Sequence, residues 1–313
     1  MDKIAGMPPQ QDGVLVLNKM RGPSSADCLR KIKRGLGRQK IGHAGTLDPM
    51  AEGVLLVLFG QAAKISGPLL EAGEKVYSGI ILLGTVTDTW DAEGREVERH
   101  PVKDVDDARV KSECAALVGS YEQEVPAYSA AKHHGRPLYE LARKGLETPA
   151  RTKPISVYRC RAELVGPERI AFRVTCSSGT YIRSLAHSLG KRLGCGGTLE
   201  QLTREYSRPF GLSQAHTLEN VLEHPEDLPS KLKSIADALP DCPHVRLSRE
   251  DARIARSGGK VLCPVAAAPY PAAGRRVLML DADGKALALS VAEPGIGTET
   301  PPLLRVTRGL WNP

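Results

Sequence analysis

Paired cysteine motifs, metal-ligand clusters and long apolar runs are all missing from this sequence of 313 residues. Its 7 cysteines are odd in number and scattered, with no CxxC pair and no Cys/His cluster at zinc spacing. Such cysteines are typical of reduced thiols in the cytosol. The longest apolar run, Val54 to Phe59, is far too short to cross a bilayer, and the first residues contain no apolar signal segment. We therefore expect a cytoplasmic protein without a membrane span, a disulfide or a resident metal.

Acidic residues are too few to balance the basic ones. The chain has 43 Lys and Arg against 36 Asp and Glu, which leaves a net charge of +7 and a pI near 9.0. A nucleic acid or an anionic membrane would suit this charge. Residues 13–64 hold nine basic and three acidic residues, Arg38 among the basic ones. This stretch is expected either to follow a phosphate backbone or to be an ordinary solvated surface, and both interpretations stay open.

A phosphate-binding loop of the GxxxxGK[ST] type is also missing, although one loop is rich in glycine. That loop, GHAGTLDPMAEG at residues 42–53, holds Asp48 among small residues, with Pro49 directly behind it. His43, Asp48 and Glu52 are too few and too poorly spaced for a metal site. A loop aspartate is more often a turn former than a catalyst, so from the residues alone the turn role is favoured for Asp48.

Strand and helix patterns alternate without the regular order of a doubly wound parallel sheet. Predicted strands cover residues 13–19, 75–87, 155–165 and 169–178, the last two as a hairpin. Predicted helices cover residues 24–37, 106–119, 137–145 and a segment after 178 with an apolar stripe at Ile182, Leu185, Leu189 and Leu193. These patterns predict an α+β fold with a mixed sheet.

A boundary is predicted near residue 240, where residues 223–244 carry four prolines around one short helix. Residues 1–240 would form one domain and residues 241–313 a small β-rich one. We expect a chain cut before residue 245 to stay folded.

Four segments in chain order carry a resemblance to a known family. They are GHAGTLDPMAEGVL, KVYSGIILLGTVTDTWDAEG, VPAYSAAKHHGRPLYELARKG and CSSGTYIRSLAHSLGKRLGCGGTLEQLTREY. Together they closely resemble the TruB family of tRNA pseudouridine synthases, and the resemblance runs from about Gly13 to Phe210. The tail beyond residue 240 more weakly resembles a PUA-like RNA-binding module.

The resemblance implies a pseudouridine-synthase fold, with a mixed, largely antiparallel sheet flanked by helices and a PUA-like C-terminal domain. It implies an isomerase that converts uridine 55 in the T loop of tRNA to pseudouridine, with no cofactor and no metal. The partner would be the T arm of tRNA. We expect a monomer with no obligate protein partner and no membrane association.

Three residues match the family's catalytic positions. Asp48 would act on C1′ or C6 of the uridine, as a nucleophile or as an electrostatic stabiliser. Arg183 would keep Asp48 ionised by holding its carboxylate through two hydrogen bonds. The resemblance places Tyr77 against the target base, where it would take the proton from C5.

Four further residues match substrate-binding positions. The resemblance places Tyr181 and Leu202 in the uracil pocket and His43 against the RNA. Because the target base must leave its stack, His43 is the candidate to stack into the space that it vacates. Lys19 matches a motif lysine of the family.

The sequence departs from the family pattern at Met20, where proline is usual, at Ser188, where aspartate is common, and at Arg208, where glycine is frequent. All three lie outside the predicted chemistry. Met20 predicts a slightly different entry turn, and Ser188 and Arg208 bear on local RNA contacts.

Two alternatives differ in class from a stand-alone tRNA modification enzyme. The chain could be chiefly an RNA-binding or tRNA-folding factor, with its basic surface and tail as the functional parts. It could also be a guide-dependent pseudouridine synthase that works within a multi-protein particle. The joint presence of Asp48, Tyr77 and Arg183 favours catalysis over the first alternative.

Overall fold

The computed structural model describes residues 11–37, 40–71, 73–133, 135–146, 148–294 and 301–311. Arg38, one of the nine basic residues of the stretch 13–64, lies outside these ranges. No helix within these ranges is both long and apolar enough to span a membrane.

Strands dominate the described chain and are numbered here in chain order. The first ten are β1 (Gly13–Lys19), β2 (Ile41–Ala44), β3 (Ala51–Phe59), β4 (Lys75–Leu83), β5 (Thr85–Thr87), β6 (Glu96–Arg99), β7 (Gly119–Glu124), β8 (Lys132–His133), β9 (Arg136–Pro137) and β10 (Thr152–Gly166). The next are β11 (Arg169–Cys176), β12 (Gly197–Ser207), β13 (Phe210–Gly211), β14 (His216–Thr217), β15 (Leu232–Lys233), β16 (His244–Arg246), β17 (Val261–Leu262), β18 (Arg276–Leu280), β19 (Ala286–Glu293) and β20 (Leu303–Gly309).

The α-helices are short and lie mostly against one face of the sheet. They are α1 (Ser25–Gly35), α2 (Ser66–Glu71), α3 (Asp107–Ala115), α4 (Leu138–Arg143), α5 (Ile182–Arg192), α6 (Leu218–Glu223), α7 (Leu228–Lys231), α8 (Ile235–Ala238) and α9 (Arg249–Arg256). Ser24 caps α1 with its side chain, as the serines before this helix predict, and Asp27 completes a capping box.

One large mixed sheet carries the first part of the chain. Its strands follow the order β14-β1-β3-β12-β4-β11-β10-β7. Three short strands pair with members of this row: β2 with β3, β13 with β12 and β15 with β1. Only the pairs β1 with β14 and β3 with β12 run parallel among the described pairs of this sheet. The predicted α+β fold with a mixed, largely antiparallel sheet is therefore confirmed, as is the hairpin of β10 and β11.

The predicted strand over residues 75–87 is wrong at one residue. It breaks at Gly84, which has φ +81°, so β5 leaves the large sheet and pairs with β6 instead. A left-handed residue ends the regular pleat, and glycine adopts that conformation without steric cost. The loop of residues 88–95 between β5 and β6 returns to β12 of the large sheet, where the Ala92 amide donates to the Leu199 carbonyl at 2.9 Å and the Leu199 amide donates to the Trp90 carbonyl at 3.0 Å.

The central strands β1 and β3 are buried on both faces, which explains their nearly continuous apolar sequences. Alternate residues point to opposite sides: Leu15 and Val57 join the core under α1 and α5. Val14 and Leu56 join a second apolar cluster on the other face. The apolar stripe predicted after residue 178 lies on α5 and is buried in the first of these cores.

Residues 244–309 form a second sheet of order β16-β18-β19-β20-β17, with α9 packed beside it. This part has its own core, but Leu278, Leu289 and Leu310 pack in the apolar cluster that holds Val14 and Leu56. The two sheets are thus joined by shared hydrophobic burial. The separate folding of residues 1–244 stays a prediction, and this shared cluster counts against it.

Candidate active site

Asp48 lies in the loop between β2 and β3, and buried groups fix the backbone around it. Gly45 begins the loop with φ +79°. The Ser25 hydroxyl accepts a hydrogen bond from the Leu47 amide at 2.9 Å and donates one to its carbonyl at 3.0 Å. The Ala51 amide donates to the Asp48 carbonyl at 3.1 Å and closes the turn. Backbone bonds and Ser25 thus form this turn, and they leave the Asp48 carboxylate to act elsewhere.

Lys19 supports the same loop from below. Its side chain is fully buried, and its ammonium donates to the carbonyls of Met20 at 3.0 Å, Pro49 at 3.2 Å and Ala51 at 2.5 Å. Burial lowers the pKa of Lys19. The Lys19 ammonium therefore supports the backbone of the Asp48 loop. The contact between Lys19 and substrate stays a prediction, and this burial counts against it.

Arg204 is a second buried cation behind this loop and was missed by the sequence reasoning. It lies on β12, is fully buried, and donates to the carbonyls of Val54 at 2.6 Å and Gly45 at 2.8 Å. The available signal was strand alternation, since Arg204 shares the inward face of β12 with Leu202. A charged residue on an inward strand face needs internal partners.

Arg183 is buried near the start of α5 and faces Asp48. Its Nε lies 3.0 Å from Asp48 Oδ2, and their side chains are 5% and 39% exposed. Its terminal nitrogens donate to the carbonyls of Thr89 at 3.0 Å and Tyr128 at 2.9 Å. The predicted ion pair is present, but its geometry is not the predicted pair of hydrogen bonds: the contact with Asp48 runs through Nε, and each terminal nitrogen donates to a backbone carbonyl instead.

Asp91 is a further buried acid at this site that the sequence reasoning missed. Its Oδ2 lies 3.5 Å from Arg183 Nε, and its Oδ1 accepts from Thr89 Oγ1 at 2.6 Å and from the Glu93 amide at 3.1 Å. Burial raises the pKa of Asp91, and the Thr89 hydroxyl and Arg183 oppose that rise. The Arg183 guanidinium therefore lies between two carboxylates, one inside the protein and one at a cavity.

The loop that carries Asp91 is anchored by a ring stack. Trp90 adopts φ 60°, and its ring lies on that of His187 with centroids 4.4 Å apart and planes 7° from parallel. Burial lowers the pKa of His187 to about 4, so its ring is neutral at pH 7. A non-glycine residue in this left-handed region is uncommon and is usually held by its surroundings. Here the stack holds the Thr89 carbonyl and Asp91 against Arg183.

Asp48 and Arg183 line a cavity of about 420 Å³, and Tyr77, Tyr181 and Leu202 line it with them. This volume falls within the range of about 300–1,000 Å³ usual for small-ligand sites. The structure thus brings together five of the seven residues predicted from the sequence. Gln123 holds one edge of the cavity, since its side-chain amide bonds the Tyr181 amide at 2.8 Å and carbonyl at 3.0 Å.

Tyr77 points from β4 into this cavity and is 6% exposed. Burial raises its pKa, and the nearby Arg204 opposes that rise. Its hydroxyl is therefore neutral at pH 7. The ring is available as an apolar surface, and the phenol oxygen lies beside a cation that would stabilise negative charge on it.

His43 lies on β2 outside the lining of the cavity. Its Nδ1 is buried and has no hydrogen-bond partner among the described residues. Burial lowers its pKa, and Arg204 adds to the effect. A neutral, flat ring at the start of the Asp48 loop fits the predicted stacking role, which stays a prediction.

The three departures from the family pattern have different local explanations. Met20 is 47% exposed, and only its carbonyl is used, by Lys19. Ser188 is exposed on α5. Arg208 donates two hydrogen bonds to Asp241, at 2.7 and 2.6 Å. Arg208 therefore joins the large sheet to the start of the C-terminal part.

The cavity contains no cluster of metal ligands within the described residues. Among the described residues, one group could hold a metal ion: His224, Glu226 and Asp227. All three are exposed, and they lie outside the lining of the cavity. Exposed groups of this kind are common without a metal ion.

Comparison with known proteins gives a consistent set of similarities. Residues 33–182 match the family described as "TruB family pseudouridylate synthase (N terminal domain)". The chain is 52% identical to "tRNA pseudouridine synthase B" of Nitratidesulfovibrio vulgaris (strain DSM 19637 / Miyazaki F) over 311 residues, which are 99% of this chain and 100% of that protein. It is also 52% identical to the protein of the same name from Oleidesulfovibrio alaskensis over 305 residues, 97% of each chain.

Solved structures resemble the fold at lower sequence identity. A chain in the "Cbf5-Nop10-Gar1 Complex" superposes with a TM-score of 0.72 at 24% identity, over 96% of this chain and 85% of that one. A chain in an "H/ACA RNP bound to a substrate RNA containing 2'-deoxyuridine" gives a TM-score of 0.71 at 22% identity, over 96% and 85%. At these identities the likeness shows the fold alone.

Proposed function

The chain belongs to the TruB family of pseudouridylate synthases, and from that premise we propose that it converts uridine 55 in the T loop of tRNA to pseudouridine. The observation that carries the proposal is the ion pair of Asp48 and Arg183, 3.0 Å apart, in a cavity that Tyr77, Tyr181 and Leu202 also line. Two acids line the cavity, Asp48 beside Arg183 and Glu71, which pairs with Arg276 at 2.9 Å. Asp48 is therefore the carboxylate held against the buried arginine, and that arrangement suits a reaction that needs one fixed carboxylate.

The reaction rearranges one bond and needs neither an oxidant nor an activated donor. The N1–C1′ bond breaks, the base turns over, and a C5–C1′ bond forms. The proton leaves C5, and N1 gains one. Asp48 either adds to the nucleotide, at C1′ or C6, or stabilises positive charge at C1′, and both routes require the carboxylate in its ionised form. Arg183 pairs with that carboxylate at 3.0 Å and supplies a fixed positive charge beside it.

Tyr77 is proposed to lie against the turned base and to take part in removal of the C5 proton. Its ring suits packing on uracil. To accept the proton, Tyr77 acts as the phenolate, a form that Arg204 beside it favours against the effect of burial, and the phenolate loses its charge when the proton arrives. Tyr181 and Leu202 supply further apolar contact within the cavity. A base within the folded T loop reaches them only after it flips out of its stack, at a cost of a few kcal/mol. His43 is proposed to stack in the vacated space.

The remaining parts of the proposal concern tRNA binding and cellular context. Residues 241–313 are proposed as a PUA-like RNA-binding domain beside the catalytic domain of residues 1–240. The basic stretch of residues 13–64 is proposed to contact phosphates. We infer a monomer that acts in the cytoplasm without an obligate protein partner. The seven cysteines, all free among the described residues, support a reducing compartment.

Two tests separate this function from its alternatives. Purified protein and an unmodified tRNA transcript, without guide RNA, should yield pseudouridine at position 55 when every uridine is mapped. A pure binding factor would leave the transcript unchanged, and a guide-dependent enzyme would need an added guide.

A second arm tests the expected independence from metals. A T-arm hairpin needs little magnesium for its own fold, so dialysed protein in excess EDTA should still convert it. Restoration of lost activity by zinc or another transition metal would contradict the proposed mechanism.

A further inference from the structure

Lys75 is a buried cation of the active-site cavity that the proposed chemistry leaves unused. It is the first residue of β4, is 5% exposed, and lines the cavity that holds Asp48. Within the described part of the chain no carboxylate pairs with it. Its situation differs from that of Lys19 and Arg204, whose donors are taken up by backbone carbonyls.

The groups around the Lys75 ammonium are mostly positive or neutral. Arg204 faces it from β12, Lys153 from β10 and Cys176 from β11. Burial lowers the pKa of Lys75 to about 7, and Arg204 adds to the effect. Lys153 also lines the cavity, as do two acids, Glu71 and Asp48. The Lys75 amine is therefore only partly protonated near pH 7, and an incoming anion would favour its protonated form.

Glycines leave room for both lysine side chains at the cavity. A Cβ at Gly45, which has φ +79°, would lie 2.9 Å from Lys75 Nζ. A Cβ at Gly179, which has φ +83°, would collide with Lys153 Nζ. Each ammonium thus lies against bare backbone of a loop at the cavity, one before Asp48 and one before α5.

We propose that Lys75, together with Lys153, binds a phosphate of the RNA backbone next to the flipped uridine. The inference rests on the proposed function, because it takes RNA as the molecule that enters the cavity. Two ammonium groups without carboxylate partners at the cavity of Asp48 form a site for an anion. A flipped nucleotide carries its phosphates to the mouth of the site that receives its base. Lysine binds phosphate as a compact point charge.

The first test measures how binding of a T-arm hairpin depends on salt. All proteins carry Asp48→Asn, so that no turnover occurs. Lys75→Met should weaken binding about tenfold and reduce the slope of log K against log salt by about 0.7–0.9, the contribution of one phosphate contact. Lys75→Arg should restore the slope. Lys111→Met, which alters an exposed lysine paired with Asp107, should keep it. An unchanged slope in Lys75→Met would overturn the proposal.

The second test locates the phosphate. Hairpins with a single neutral methylphosphonate at each position around the target uridine are bound to both proteins. For the protein with Lys75, the methylphosphonate should weaken binding at one position of the hairpin. For Lys75→Met, a methylphosphonate at that same position should cause no further loss of affinity. Equal losses in both proteins at every position would refute the assignment. The proposed function is judged separately, by pseudouridine formation in the wild-type protein, so either idea can fail alone.

Discussion

The active-site cavity has two walls that hold positive charge in opposite ways. The acid wall, Asp48 with Arg183, gives its guanidinium internal partners: two carboxylates lie near Nε, and each terminal nitrogen donates to a backbone carbonyl. The lysine wall, Lys75 with Lys153, has no carboxylate partner for either ammonium among the described residues. The charge of the acid wall is thus paired before substrate arrives, whereas that of the lysine wall is paired by an anion from outside.

The choice of cation follows the same division. Arginine stays charged at any working pH and offers several donors in a fixed plane, which suits a permanent internal network. Lysine loses its proton readily when it is buried, and the pKa of Lys75 lies near 7. A cation that pairs permanently with Asp48 cannot be one that loses its charge near neutral pH. A cation that meets a phosphate can be, because the negative charge of the phosphate raises the lysine pKa and the amine takes a proton from water.

Removal of the acid should have the largest effect on turnover. Asp48→Asn should lower the rate by at least about 10⁴-fold, because no ionised carboxylate remains to act on the nucleotide. tRNA affinity should stay within a few fold, since the change removes a negative charge from an RNA site. Single-turnover kinetics and binding titrations measure both. Glu52→Gln is the matched control, since Glu52 is exposed in the same region, and it should keep the rate. Near wild-type turnover in Asp48→Asn would contradict the mechanism.

Arg183→Lys tests whether a lysine can replace the arginine of the acid wall. Arg183→Lys should lower the rate by about 10²–10³-fold, because one ammonium cannot serve Asp48 and the carbonyls of Thr89 and Tyr128 together. The loss should be greatest in the rate at saturating enzyme. Arg192→Lys, on the same helix but exposed and paired with Glu113, controls for the substitution. Comparable activity in both variants would mean that a simple charge is enough.

Lys19 tests whether the acid wall also depends on the support beneath it. Lys19→Met removes the ammonium that donates to the carbonyls of Met20, Pro49 and Ala51, although the Pro49 carbonyl keeps the Gly22 amide as a donor. The loss should cost about 1–3 kcal/mol of unfolding free energy. The rate should fall about tenfold, and tRNA affinity should change little. Urea denaturation and single-turnover kinetics check these outcomes against Lys31→Met, an exposed site on α1. A large loss of tRNA affinity with a normal rate would instead support the predicted contact between Lys19 and substrate.

The smallest effect on turnover is expected at the lysine wall, where stability should depend on pH. Between pH 7 and about 10.5 the unfolded Lys75 binds a proton that the folded protein does not, so the wild type gains stability as pH rises through this window. Below pH 7 the folded protein carries the full cost of burying the protonated Lys75. Lys75→Met should therefore raise Tm by a few degrees at pH 6, and the gain should shrink by pH 9. Lys153→Met, at an exposed site, should show no such trend, and a pH-independent gain in Lys75→Met would point to packing instead.

Sequence patterns predicted the local features of the site well. The capping serine of α1, the hairpin of β10 and β11 and the apolar stripe of α5 are short-range features, set by residues a few positions apart. The motif segments also identified Asp48 and Arg183 as a pair, although they are 135 positions apart in the chain. That pairing came from resemblance and not from spacing.

The sequence by itself determined the class of fold, the family and the acid that faces the substrate. Only the tertiary structure decided which charges are satisfied inside the protein and which remain for a ligand. Arg204 reaches the Gly45 carbonyl across 159 residues, Lys19 reaches that of Ala51 across 32, and Lys75 meets no acid within the described chain. The physical reason is that a buried charge is stabilised by whatever the fold places within a few ångströms, and neither composition nor periodicity records those distances.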